Sequence, residues 1–301
     1  MAEKIVQVAE NFWNIRGSFR IGGVVDIGTQ ASLIRLASGN FLLLDSYALS
    51  ETLREEINVI LDDGGEIEAI VNLHPFHTVH VERMHELFPE ARLHGTQRHL
   101  DRFPELPWEE VRSEDQELHE WYSDDLDFTI PRGVDFISAN ENVHFASVLA
   151  YHRASGTIHV DDTLMYIRLP RLPSQVGLRD RVGFHPTLAM ALEKRGGAAE
   201  EFREWAAEFT EVWGDAENLC AAHSGTLLAE TNRGASIRDR IRKEGALRTA
   251  FSGARAPLRL KEKPCSLEIN YIDTAMGDLA PMAYNAEAAL ARYCFVHTGS
   301  D

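Results

Sequence analysis

The chain has 301 residues, 44% hydrophobic and 26% charged, which is the balance of an ordinary globular protein and excludes a disordered or collagen-like one. No apolar run approaches the roughly 20 residues of a membrane helix, and MAEKIVQVAE lacks the uninterrupted apolar segment of a secretory signal, so a cytoplasmic location is expected. A formal charge of -17 opposes long-range attraction to nucleic acid or anionic lipid, which leaves a small molecule as the expected partner.

Taken in chain order, the first elements are strands. SLIRLASGNFLLLDS holds two apolar runs separated by Gly39 and Asn40, residues that suit the positive φ of a hairpin turn. Asp45 then falls at the end of a buried strand. Ser50 is a candidate N-cap and Glu51 suits the positive end of a helix dipole. Leu53, Ile57, Ile60 and Leu61 recur at helical spacing until Gly64 and Gly65 stop the run.

EIEAIVNL, residues 66–73, predicts a short strand, and it ends where HPFHTVH begins. VERMHELF follows as a short helix closed by Pro89, and ARLHG as another strand. Between Asp101 and Asp127 the chain turns strongly acidic, with Arg102 and Arg112 its only basic residues, as expected of a solvated surface insertion. VHFASVLAYHRASGTIHVDDTLMY predicts a hairpin around Ala154, Ser155 and Gly156, carrying His144 near its start and Asp161 and Asp162 near its end.

AAEEFREWAAEFTEVWG places Phe202, Trp205, Phe209, Val212 and Trp213 on one helical face as core candidates. ENLCAAHSG then gives a strand ending at His223. Strands with a helix, then strands again, predict an α/β protein of two halves packed sheet to sheet with helices outside. Cys220, Cys265 and Cys294 are too few and scattered for a disulfide framework, and are read as reduced.

The candidate ligands gather at strand ends: His74, His77 and His80 in one loop, then His144, Asp162 and His223. Imidazole nitrogens with a carboxylate suit zinc, iron, manganese or nickel better than calcium or magnesium. From about Phe12 to Gly225, the order of LLLDS, the histidine loop, ENVHFAS, GTIHVDDTLMY and CAAHSG resembles the metallo-β-lactamase fold superfamily. The resemblance implies a four-layered αββα sandwich and a single domain over residues 1–301, with a C-terminal extension from about residue 226.

The family's His-x-His-x-Asp-His loop is altered here. With one inserted residue, His74, His77 and His80 fall on its histidines and Val79 on its aspartate. Without the insertion, Phe76, Thr78 and Val79 replace ligands and His74 alone survives. The gapped reading is preferred because three imidazoles lie so close together. It implies that His74, His77 and His144 form a first metal site, that His80 and His223 belong to a second, and that Asp162 bridges them.

With one or two divalent transition metals, zinc foremost and iron or manganese as alternatives, the resemblance implies a hydrolase of ester, thioester, lactone, amide or phosphoester bonds. It acts through a metal-activated water, with Asp162, His80 and His223 as catalytic residues. Two other readings stay open: a degenerate, noncatalytic member of the fold acting in binding or assembly, and an iron-dependent redox protein. Residues 166–186 carry Arg168, Arg171, Arg179 and Arg181 and suit either a wall over the site or a surface connection. The basic stretch 233–263 is read as a charged helix face and loop. PMAYNAEAALARYCF leaves open a cover for the sandwich or assembly into a homo-oligomer.

Overall fold

The structure is a computed structural model that describes residues 3–21, 25–61, 64–167, 180–223, 225–232 and 236–243. Arg168, Arg171 and Arg179, most of the basic stretch 233–263 and the PMAYNAEAALARYCF segment lie outside the described residues.

The first half of the chain supplies β1 (Lys4–Ala9), β2 (Phe12–Gly17), the short β3 (Arg20–Ile21) and β4 (Val25–Asp26), β5 (Thr29–Arg35), β6 (Phe41–Leu44), β7 (Ile67–Val71) and β8 (Arg92–His94). Six of these form one sheet in the order β1-β2-β5-β6-β7-β8. The β5–β6 hairpin turns where expected, and Gly39 there has φ 94°, open to glycine at little cost. From β6 onward the strands run parallel, because α1 (Glu51–Leu61) and α2 (Val81–Leu87) carry the chain back across the sheet between them.

The second half supplies β9 (Leu126–Thr129), β10 (Leu149–His152), β11 (Thr157–Val160), β12 (Leu164–Ile167), β13 (Arg181–Phe184), β14 (Asn218–Ala221) and β15 (Thr226–Leu227). Its main sheet has the order β15-β14-β11-β10-β9, with β11 and β14 parallel. Gly156, with φ 59°, closes the β10–β11 hairpin.

Three apolar layers hold these sheets. Leu42, Leu44, Ala69 and Val71 of the first sheet meet Val148, Ala150 and Cys220 of the second in the layer between them. Phe41 and Leu43, alternating with Leu42 and Leu44 along β6, face the other way and pack with Leu53 and Ile57 of α1 and Met84 of α2. On the far side, Ile158, Val160 and Leu219 lie under the helix Ala198–Val212 through Phe202, Trp205 and Phe209. The result is the expected αββα sandwich.

Two sequence expectations change in detail. Val212 is 72% exposed, so it leaves the aromatic face that Phe202, Trp205, Phe209 and Trp213 form. The acidic stretch 101–127 is not wholly solvated. It begins within the last residues of α3 (Gln97–Arg102) and contains α4 (Gln116–Trp121), and Leu118, Tyr122 and Leu126 recur every four residues to enter the core between the sheets. Among the described residues, no helix is long and apolar enough to cross a membrane.

Trp205 is fully buried and stacks on Phe209 with ring centroids 5.5 Å apart. Trp205→Ala is expected to cost about 3–5 kcal/mol, and Val212→Ala to stay within about 0.5 kcal/mol. Denaturant midpoints compare them, and equal losses would contradict the described helix face.

Candidate metal centre

Parallel strands end at the same edge, and that is what brings distant residues together here. Asp45 follows β6, Asn72 to His74 follow β7, Asp161 and Asp162 follow β11, and Ala222 and His223 follow β14. Asp45 adopts φ 61°, a left-handed conformation unusual outside glycine. Two bonds fix it there. Its N–H donates to the Val71 carbonyl at 2.9 Å, and its Oδ1 accepts from the Leu73 N–H at 2.8 Å. The carboxylate thus pins the start of the histidine loop.

Within that loop, the Phe76 N–H donates to His74 Nδ1 at 3.1 Å, which turns His74 Nε2 toward Asp162 Oδ2, 3.5 Å away. The His77 ring stacks on His74 with centroids 4.1 Å apart. Its two nitrogens face two carboxylates: Nε2 lies 3.6 Å from Asp162 Oδ2 and Nδ1 lies 3.4 Å from Asp161 Oδ1. His74, His77 and Asp162 each offer a donor atom within 4.8 Å of the others.

His223 completes the group from the second sheet. Its Nδ1 lies 3.0 Å from the Gly28 carbonyl and its Nε2 lies 2.9 Å from Asp162 Oδ1. When Nδ1–H donates to that carbonyl, a neutral His223 presents a lone pair, not a proton, to the carboxylate. Two lone pairs at 2.9 Å need a proton or a cation between them. An outer carbonyl on the far ring nitrogen is also how metal-binding histidines are commonly oriented.

Electrostatics favour positive charge in this group. Burial disfavours a charged Asp162, but His223, His77 and His74 outweigh it and hold the carboxyl well below its ordinary range. His77 is the counterpart: burial opposes its charge, while Asp161 and Asp162 hold its pKa well above the ordinary value. Burial, followed by the neighbouring His77, keeps His74 neutral, with a pKa well below the usual imidazole range. His74 Nε2 and Asp162 Oδ1 are buried without a properly aligned hydrogen bond. Donor types, spacing and orphaned buried atoms all fit one divalent transition-metal cation held by His74, His77, Asp162 and His223.

Two expected ligands stand elsewhere. His80 precedes α2, and its ring sits edge-on to Tyr47 at 5.2 Å instead of joining the group. The turn from His77 to His80 carries it away, because His80 already begins the helix: its carbonyl accepts from the Met84 N–H. His144 lies in an irregular segment before β10, not in a strand. Its ring is 6.3 Å from His74, but Nε2 donates to the Glu141 carbonyl at 2.5 Å.

Phe76, not His77, stacks on His144, with centroids 4.5 Å apart. The Arg98 guanidinium covers the Phe76 ring at 4.4 Å and is itself held by a fork of hydrogen bonds to Glu141. Val79 is 57% exposed and presents nothing to the centre.

Sequence reasoning passed over a second buried group, Asp45, His159 and Asp161. The signal was present: Asp161 follows β11 two residues after His159, the spacing at which strand side chains share a face.

No protein-family model and no curated protein matches this sequence. The fold does have counterparts among solved structures. A metallo-β-lactamase from Erythrobacter litoralis, crystallised with β-mercaptoethanol in its active site, is 12% identical with a TM-score of 0.51, over 80% of this chain and 96% of that one. The DIM-1 metallo-β-lactamase is 11% identical with a TM-score of 0.50, over 81% of this chain and 98% of that one. At such identities the likeness speaks for the fold alone: the chain is a divergent protein of the metallo-β-lactamase fold.

Proposed function

We propose that the protein is a metal-dependent hydrolase of a small-molecule ester, thioester, lactone or phosphoester. One observation carries the reading. His74 and His77 from one strand end, Asp162 from a second and His223 from a third meet with buried donor atoms left unsatisfied. Such a set is costly to bury unless a cation completes it.

When bound, a divalent cation supplies Lewis acidity, lowering the pKa of a water from about 16 toward about 7 and polarising a carbonyl or phosphoryl oxygen. The protein's own part is positioning. His223, tied to the Gly28 carbonyl, orients Asp162 through its Oδ1, and Asp162 Oδ2 faces His74 and His77. Phe76 is buried between His144 and Arg98 and holds the His144 ring in place beside the group. The catalytic role expected for His80 is not carried forward, since its ring packs on Tyr47.

Zinc suits this nitrogen and oxygen set, and iron or manganese suits it too. A second reading, a metal-holding protein without hydrolytic turnover, draws support from Phe76, which occupies the space against His144 with a ring that offers no ligand. Elemental analysis of the protein purified under metal-replete conditions, followed by a panel of thioesters, lactones and phosphoesters, separates the readings. Zinc or manganese with turnover supports the hydrolase. Metal without turnover supports the second reading, and iron with a visible absorption band supports redox chemistry.

Asp162→Asn is expected to weaken metal affinity by at least about 10–100-fold, since even a supporting group of a metal site costs that much. Equilibrium dialysis reads this, and unchanged affinity in a folded variant counts against the centre. Phe76→His is expected to raise affinity by placing a further imidazole against His144 and His74, whereas Val79→Asp, on an exposed side chain, is expected to leave it unchanged. The opposite ranking would favour the gapped alignment.

A further inference from the structure

Behind the His74 group, deeper between the sheets, lie Asp45, His159 and Asp161, all buried, each with a donor atom within 4.8 Å of the others. His159 Nε2 is 2.8 Å from Asp45 Oδ2, and its Nδ1 is 2.9 Å from the Ser32 hydroxyl. That hydroxyl can donate or accept, so it accommodates either neutral tautomer of His159. Asp161 is the anomaly. It is 2% exposed, yet neither carboxylate oxygen accepts a hydrogen bond, and His77 Nδ1 approaches Oδ1 only to 3.4 Å.

A buried carboxylate that accepts no aligned hydrogen bond and meets only the His77 ring is an expensive feature, and a second one beside it makes it more so. The ion pairs of Asp45, Asp161 and Asp162 among the described residues are all with histidines. Imidazoles alone balance three buried acids poorly, whereas a divalent cation balances two at once. Two carboxylates and one imidazole match the oxygen-rich end of the zinc, manganese and iron range.

We propose that Asp45, His159 and Asp161 form an inner divalent-cation site, separate from the outer group and joined to it by the His77 ring, which turns one nitrogen to each. The inner site stands on its own donors and does not need the hydrolase reading. Its role follows from its place: a cation there fixes Asp45, and Asp45 fixes the first residue of the histidine loop through the Leu73 N–H. The inner cation is therefore a structural support for the outer group.

The test uses the full chain, stripped of metal and titrated with cobalt(II) alone, with bound cobalt counted by elemental analysis after gel filtration. The wild type is expected to hold two equivalents, Asp161→Asn and His159→Gln one each, and His74→Ala one. A wild type that binds a single equivalent, kept in Asp161→Asn and lost in His74→Ala, overturns the inner site and leaves the outer one standing. A single equivalent lost in Asp161→Asn and kept in His74→Ala supports the inner site and removes the outer. No uptake overturns both. Should the substitutions unfold the protein, anomalous scattering from cobalt-loaded wild-type crystals decides, with a peak between Asp45, His159 and Asp161 expected and a peak confined to the outer group overturning the proposal.

Discussion

Three carboxylates, Asp45, Asp161 and Asp162, are buried at one edge of a β-sandwich with histidines as their ion-pair partners. Burial withdraws them from bulk water, so much of their charge has to be met by what the strand ends provide. The rest of the centre reads as an answer to that constraint. His77 takes a proton readily between two acids, His74 stays neutral beside it, and His223 is clamped by a carbonyl so that its free nitrogen meets a carboxylate. A cation relieves the same constraint more completely than protons do, and that is the physical basis of the functional reading.

The sandwich makes this crowding affordable. Its apolar weight lies away from the edge, in the aromatic stack under the helix Ala198–Val212, in the layer between the sheets and in the contacts of α1 and α2. The parallel pairs β6–β7 and β11–β14 then deliver their following residues to one side. Strain is accepted there as well: Asp45 holds a left-handed backbone conformation because its own side chain ties down the loop that follows.

Much of this was legible in the sequence because it follows from periodicity. The β5–β6 hairpin, α1, β7 and the strand before His223 come straight from alternation and helical spacing, whereas the convergence of His74, Asp162 and His223 was implied by the resemblance and not by periodicity. What was not legible depends on where a side chain points after the regular element ends. HPFHTVH reads as three equivalent imidazoles, yet a turn of the chain sends His80 into a helix start beside Tyr47, while Phe76 takes the face against His144. Val212 follows the aromatic stripe in sequence but sits one step beyond the buried arc. His159 was passed over because a strand histidine is usually a core residue; only the position of Asp161 two residues on gives it another meaning.

The central claim is that the strand-end histidines and Asp162 enclose a transition-metal cation. X-ray absorption spectroscopy on the metal-loaded protein tests it most directly. The account predicts a first shell of nitrogen and oxygen, with the multiple-scattering signature of coordinated imidazoles that diminishes in His74→Ala. A protein that retains no metal, or a shell containing sulfur or lacking imidazole, would contradict it.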